Sequence, residues 1–434
     1  MAAHATTNPP PQPKAAPDTS IIPLRELVRV FLRIGLLSFG GPAAQIAVMH
    51  RELVEERRWL TEDQYLGALS FCMLLPGPEA MQLVTYAGWR LRGTLGGLIG
   101  GLLFVLPGAA VMALVSLCYA WYGAVPLAAA MFLGIKATVV IIVLQALLKV
   151  SQRALKSTDR WVIAGLSFVG IFALNLPFPL IILAAGAYGY WRAPAATLPP
   201  PDLASPRTLR TVAIWGGLWL APVALLWASG ATFLTELALF FSKLAVVTFG
   251  GAYSVLAYMT QRVVTDLGWI STAQMMDGLG LAETTPGPLI LVTQFVAMLS
   301  GVQQGGTGLA LLAGAIALWV TFVPCFLWIF AGAPYVEWIA TRPRLSGALS
   351  AITAAVVGVI LNLSIWFALH VFFGTVETTT LGPIQIALPH LTSFDPVAAG
   401  LAVLAGFALL RQRWSLPVVL ALAALAGALV ELLG

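Results

Sequence analysis

A chain of 434 residues that is 59% hydrophobic and 9% charged, with a mean hydropathy of +0.90, carries more apolar surface than a soluble domain can bury, so its solvent is a lipid bilayer. The net charge of +5 is explained by Lys and Arg gathered in cytoplasmic loops; no basic patch sits on a soluble segment, so nucleic acid is not an expected partner. Cys72, Cys118 and Cys325 lie in apolar segments without CxxC spacing, and His4, His50, His370 and His390 fit no metal motif, so no metal, cofactor or catalytic centre is expected.

Residues 1–20, rich in Pro, Ala and Thr, read as a disordered tail without the features of a signal peptide. Apolar segment a covers about 22–48 and carries Arg25, Arg29 and Arg33 before a break at Phe39-Gly40-Gly41. An amphipathic link follows, in which acids outnumber Arg51, Arg57 and Arg58. Segment b, about 64–89, is cut by Pro76-Gly77-Pro78. Segments c (about 94–121), d (125–148), e (161–175) and f (177–191) complete a first half. A Pro-rich linker (193–209) and one extra helix h (211–229) lead to a′ (232–259), b′ (271–299), c′ (306–332), d′ (346–373), e′ (396–410) and f′ (415–433). The expected divisions are a tail at 1–20, a first repeat at 21–192, a linker with the extra helix at 193–230, and a second repeat at 231–434.

The halves are copies. An offset of 210 carries Ser38-Phe39-Gly40-Gly41 onto Thr248-Phe249-Gly250-Gly251, Trp59 onto Trp269, Gln64 onto Gln274, and Pro76-Gly77-Pro78 onto Pro286-Gly287-Pro288 without a gap. The reading is an all-α polytopic membrane protein of about thirteen transmembrane helices, two six-helix repeats joined by one extra helix, with broken helices at the GG and PGP motifs. Seven crossings then separate a from a′, an odd number, which makes the repeats inverted. Loop charge agrees when the N-terminus is cytoplasmic and the C-terminus periplasmic or extracellular: Arg90, Arg92, Lys149, Arg153, Lys156, Arg160, Arg192, Arg207, Arg210, Arg262, Arg342, Arg344, Arg411 and Arg413 all fall inside. The alternative is that b and b′ are re-entrant hairpins. Each half would then lose one crossing, and the halves would be parallel.

Proline has no N–H and disfavours helix in the residue before it, so each Pro-Gly-Pro interrupts its segment. Inside a bilayer such a break is tolerated only where it is buried in protein or lines a cavity, and the half-helix that follows presents open N–H groups to an anion. Paired breaks at matching positions mark a transport site. The candidate binding residues are Ser38, Gly40, Gly41, Pro76, Gly77, Pro78, Gln82, Lys136, Lys243, Thr248, Gly250, Gly251, Thr285, Pro286, Gly287 and Pro288. Thr85, Gln145, Thr284, Gln294 and Asn362 are further cavity-wall candidates. Lys136 and Lys243 stand within spans, where a charge needs a reason. Arg33, the counterpart of Lys243, either joins the site or snorkels to the interface. Glu79 and Glu283 are candidates for proton coupling; Glu79 serves equally well as a cap on its half-helix.

At these residues the chain resembles the chromate ion transporter family in its long two-domain form. The FGG and PGP elements, the Trp-Leu or Trp-Ile after the a–b link, and the doubled length carry the resemblance over about 24–433. It implies an inner-membrane exporter of chromate that confers chromate resistance, with sulfate as the natural mimic. Other readings are a sulfate or other oxyanion carrier, working outward or inward, and an anion channel, and a homodimer is compatible with either. Ala252 follows the second Gly-Gly where Pro42 follows the first, so the copies play unequal roles.

Overall fold

The glycine and proline punctuation of the two halves becomes a set of matched turns in the backbone. The computed structural model describes residues 22–39, 41–123, 125–194, 206–249, 252–336, 342–382 and 384–433. The tail, the middle of the linker, and Gly40, Gly250 and Gly251 lie outside the described residues.

The first half contains α1 (Leu24–Leu37), α2 (Gly41–His50) with a π-helical turn (Arg51–Glu56), α3 (Glu62–Cys72), α4 (Glu79–Tyr122), α5 (Pro126–Ala154), α6 (Thr158–Phe172) and α7 (Phe178–Arg192). After α8 (Pro206–Ala228) come α9 (Thr232–Val247), α10 (Ala252–Thr260) with a π-helical turn (Gln261–Asp266), α11 (Thr272–Thr284), α12 (Val292–Gly332), α13 (Pro343–Phe372), α14 (Pro396–Gly406) with a π-helical turn (Phe407–Arg411), and α15 (Leu416–Leu433). The matched glutamines have a local cause. Gln64 and Gln274 each close a capping box, with Thr61 and Ser271 as the N-caps of α3 and α11. Positive φ recurs at Arg58 and Gly268, and at Gly77 and Gly287, both pairs separated by the same offset.

Segments a, b, a′ and b′ do not run straight through their breaks. Phe233, at the start of α9, packs on Trp269 beyond α10 with ring centroids 5.8 Å apart, so α10 returns along α9. Arg33 of α1 reaches Glu52 beyond α2 in the same way. Phe71 of α3 meets Tyr86 of α4, and Gln303 of α12 donates to Gln274 of α11 at 3.4 Å. All four segments are antiparallel helix pairs, with Ser38, Pro76-Gly77-Pro78, Thr248 and Pro286-Gly287-Pro288 at the tips. α4 and α12 reverse again at Arg92-Gly93 and Gly305-Gly306, where φ/ψ leaves the helical region. The arms lie so close that a Cβ on Gly88 would come within 2.1 Å of Gly96 O.

Among the described residues, α4, α5, α8, α12, α13 and α15 are the six helices long and apolar enough to cross a membrane. The thirteen crossings read from the sequence are therefore not matched segment for segment. Hydropathy reports the surroundings of a helix, and a helix folded back inside protein is as apolar as one that spans.

The halves interlock. α5 packs on α14 and α15 of the second half, while α13 packs on α6 and α7 of the first. Glycine permits the closest approaches: Gly134 against Ala423, Gly427 against Ala130, Gly189 against Gly347, and Gly358 against Ala164. One feature departs from an all-α chain. β1 (Val376–Leu381) and β2 (Ile384–Pro389) form an antiparallel hairpin between α13 and α14, with Gly382 at φ +63° in its turn. Val, Ile and Thr around that turn are an ordinary strand signal, which segmentation by hydropathy passes over.

Candidate functional site

A helix that stops inside the protein leaves its last carbonyls without intrahelical partners. Ser38 and Thr248 close α1 and α9, and each turns its hydroxyl onto its own helix: Ser38 Oγ donates to Ile34 O at 2.6 Å, Thr248 Oγ1 to Leu244 O at 2.5 Å. Their own carbonyls are answered from the opposite half. The Gly287 N–H donates to Ser38 O at 2.8 Å, and the Gly77 N–H donates to Thr248 O at 2.9 Å. The offset of 210 exchanges these two bonds, so the end of α1 is docked on the Pro-Gly-Pro break of the second half and the end of α9 on that of the first. Within each triplet the flanking prolines have no N–H, which leaves glycine as the sole backbone donor.

The glycines are also required by shape. Gly77 and Gly287 sit at φ +116° and +87°. A Cβ on Gly77 would lie 2.8 Å from Gln82 Nε2 and 3.0 Å from Cys325 Sγ; one on Gly287 would lie 3.1 Å from Leu291 Cδ1. Gly108 stands against Pro286 O and Cys325 against Gly77, and these two residues are counterparts in c and c′. The junction is closed: Ser38, Gly77, Pro78, Thr248, Thr285, Pro286, Gly287 and Pro288 are all buried.

Amide and carboxyl side chains surround the tips. Gln82 Nε2 donates to Pro76 O at 2.6 Å, Gln45 Nε2 to Gly287 O at 2.7 Å, and Gln294 Nε2 to Ala109 O at 3.0 Å. Thr85 Oγ1 and Thr284 Oγ1 bond back to their own helices. Tyr253 donates its hydroxyl to Glu283 Oε1 at 2.7 Å, and the same hydroxyl lies 3.8 Å from where a Cβ on Gly41 would stand. Among the described residues, the buried Gln82 Oε1, Gln294 Oε1 and Glu283 Oε2 have no hydrogen-bond partner. Glu79 occupies the first turn of α4, where a carboxylate complements the helix dipole. α2, α4, α10 and the 3-10 turn before α12 all begin at these tips, and their first N–H groups have no intrahelical acceptors.

The two lysines lie elsewhere. Lys136 Nζ is 3.2 Å from Asp277 Oδ1, and Tyr119 donates to Asp277 Oδ2 at 2.6 Å, a cluster joining α5 to α11 two turns before its tip. Lys243 lines a separate cavity with Tyr258 and Arg262. Asn362 lines a third, of about 210 Å³, beneath the β-hairpin. Gln145 is half-buried on α5. Arg33 is not simply snorkelled: it pairs at 3.2 Å with Glu52, which is fully buried and also held by Arg57. Glu52→Ala is expected to leave both guanidinium groups without this partner and to cost about 1–3 kcal/mol, discounted because Arg33 is half exposed. A lower melting temperature of the purified protein would report it.

Sequence reasoning missed Gln45, Tyr253 and Asp277. Their repeat counterparts are Val255, Ala43 and Gly67, so the repeat signal that found the Gly-Gly and Pro-Gly-Pro breaks is silent on them. Asp277 was the more findable, being a charge inside an apolar segment.

The chromate transporter family model matches the chain twice, at residues 25–190 and 235–428. The chromate transport protein of Pseudomonas aeruginosa is 32% identical over 99% of this chain and 96% of its own. The probable chromate transport protein of Synechococcus elongatus is 31% identical over 78% of this chain and 82% of its own. That of Cupriavidus metallidurans is 29% identical over 87% and 92% respectively. No solved structure matches.

Proposed function

The chain belongs to the chromate transporter family of membrane transporters, and from that premise we propose that it exports chromate through the junction of its four breaks by alternating access of inverted halves. The observation that carries this reading is the reciprocal pair Gly77–Thr248 and Gly287–Ser38. A tetrahedral dianion is rich in acceptor oxygens and needs converging donors. Backbone N–H groups freed by the opening of these two contacts, together with those of the half-helices that start there, supply them. Equivalent contacts at the two ends of a pseudo-twofold are suited to opening one at a time, which is what alternating access asks of a gate.

Parity supports inversion. Folding back both a and b removes two crossings from the seven expected between a and a′, leaving five, still odd. Nine crossings then accompany four re-entrant hairpins, with the N-terminus cytoplasmic in an inner (plasma) membrane. The hairpins move Arg262 to the outside and Arg51, Arg57 and Arg58 to the inside, while the other basic loop residues keep their cytoplasmic side. Cysteine labelling is expected to place Lys156 and Arg411 on the same face; opposite faces would refute the inversion. Energetics favour the outward direction. Two negative charges moving out through an inside-negative 100 mV release roughly 4.6 kcal/mol, enough to hold a gradient above about a thousandfold.

Glu283 is the stronger candidate for proton coupling, because it is buried beside the junction with one oxygen that has no partner among the described residues. Collapsing the pH gradient at fixed potential is expected to slow wild-type flux and leave Glu283→Gln flux unchanged; equal slowing of both removes Glu283 from the mechanism. Substrate and direction are tested together by chromate uptake into everted vesicles with sulfate as competitor. Saturable uptake reduced by sulfate is expected, and absence of uptake overturns the export reading.

A further inference from the structure

A cavity of about 530 Å³ opens beside α9 and α10, and its walls include Trp227, Glu236, Leu239, Lys243, Tyr258 and Arg262. Lys243 lies 5.8 Å from the Tyr258 ring centre, a contact with a π face and not with a carboxylate. The first half treats the corresponding position differently. There Arg33 is answered by the buried carboxylate of Glu52, whereas the residue in register with Glu52 in the second half is Arg262. The second half thus faces a second cation into the place from which the first supplies an anion. Arg262 holds Asp266 at 2.6 Å through one nitrogen, leaving other guanidinium N–H groups for a second acceptor.

The surroundings say which anion. Trp227 is 76% exposed and Leu239 55% exposed, so part of the cavity wall is apolar surface of the kind that hydrocarbon covers. A free dianion gains nothing from that apolar wall, whereas a headgroup arrives with acyl chains that cover it. Glu236 stands seven residues before Lys243 on the same face of α9, about 10 Å along the axis. A carboxylate at that spacing opposes a purely anionic headgroup and suits one that carries an ammonium beside its phosphate.

We propose that this cavity holds an aminophospholipid, with its phosphate on Lys243 and Arg262, its ammonium on Glu236, and its acyl chains along Leu239 and Trp227. The site lies apart from the junction and does not rest on the transport reading.

The test is native mass spectrometry of the full chain released from phosphatidylcholine nanodiscs doped equally with phosphatidylethanolamine and phosphatidylglycerol. The wild type is expected to retain one phosphatidylethanolamine, and Lys243→Gln with Arg262→Gln to cut that population by about tenfold. Glu236→Gln is expected to remove the preference over phosphatidylglycerol. Leu239→Trp keeps every charge and narrows the mouth, so its loss of lipid separates occupancy of the cavity from a folding defect. Retention in the double variant within about twofold of wild type overturns the proposal. So does displacement of the lipid by added sulfate that itself binds through Lys243, which would make a free oxyanion the ligand.

Discussion

Gly77→Ala and Gly287→Ala are each expected to abolish chromate flux while the protein still reaches the membrane, with Gly77→Ala the more damaging. Both residues hold positive φ, which a Cβ penalises by about 1–2 kcal/mol. The second effect is collision. At Gly77 the new Cβ meets Gln82 Nε2 at 2.8 Å and Cys325 Sγ at 3.0 Å, whereas at Gly287 the nearest atom is the flexible tip of Leu291 at 3.1 Å. Moving either tip breaks an N–H to carbonyl bond between the halves and leaves a buried carbonyl unsatisfied, at about 1–3 kcal/mol. The total is of the size that disables a gate without unfolding a membrane protein. Flux assays alongside membrane immunoblots separate the two outcomes; near-normal flux in either variant would remove that contact from the mechanism.

The second large effect concerns Lys136 and Asp277. Their side chains are mostly buried in the interface between α5 and α11, and each answers the charge of the other. Lys136→Met alone strands a buried carboxylate and is expected to cost about 3–5 kcal/mol, as is Asp277→Leu alone. The double variant removes both charges and is expected to recover most of the lost protein level, because a buried pair often contributes little net stability against apolar residues of similar size. Flux decides the role. If Lys136 leaves Asp277 to meet the substrate, the double variant is abundant and inactive; an abundant and active double variant makes the pair a structural staple between the halves.

The repeat in the sequence located the junction because its parts are chemically rigid. Positive φ at Gly77 and Gly287, capping boxes at Gln64 and Gln274, and the absence of N–H on four prolines are local requirements, and local requirements are written at matched positions. Direction beyond a break is not local. Whether α2 continues α1 or returns along it depends on contacts such as Arg33 with Glu52, formed between residues that no periodicity links. The lysines show the same limit from another side. Charge in an apolar segment announces that Lys136 and Lys243 matter, but only packing reveals that one faces Asp277 and the other Tyr258. The β-hairpin was legible from its Val, Ile and Thr pattern and was hidden by a reading tuned to apolar length.

Unequal partners within equal frames are the consistent theme of the two halves. The backbone contacts obey the pseudo-symmetry, while Gln45, Tyr253, Asp277, Glu283 and Glu52 each occur in one half only. A symmetric scaffold therefore carries an asymmetric set of polar groups, which suits a carrier that must bind on one side and release on the other.

In the proposed mechanism the substrate passes between Ser38 and Gly287 on one side and Thr248 and Gly77 on the other. Ser38→Cys and Thr248→Cys, each in a background with Cys72, Cys118 and Cys325 replaced by serine, test it by reaction with a membrane-impermeant thiol reagent during turnover. Both positions are buried in the closed junction, so reaction demands opening. Both cysteines are expected to react while flux proceeds, modification to stop flux, and sulfate to slow the reaction at both. Wild-type flux through a protein in which neither cysteine ever reacts would contradict it.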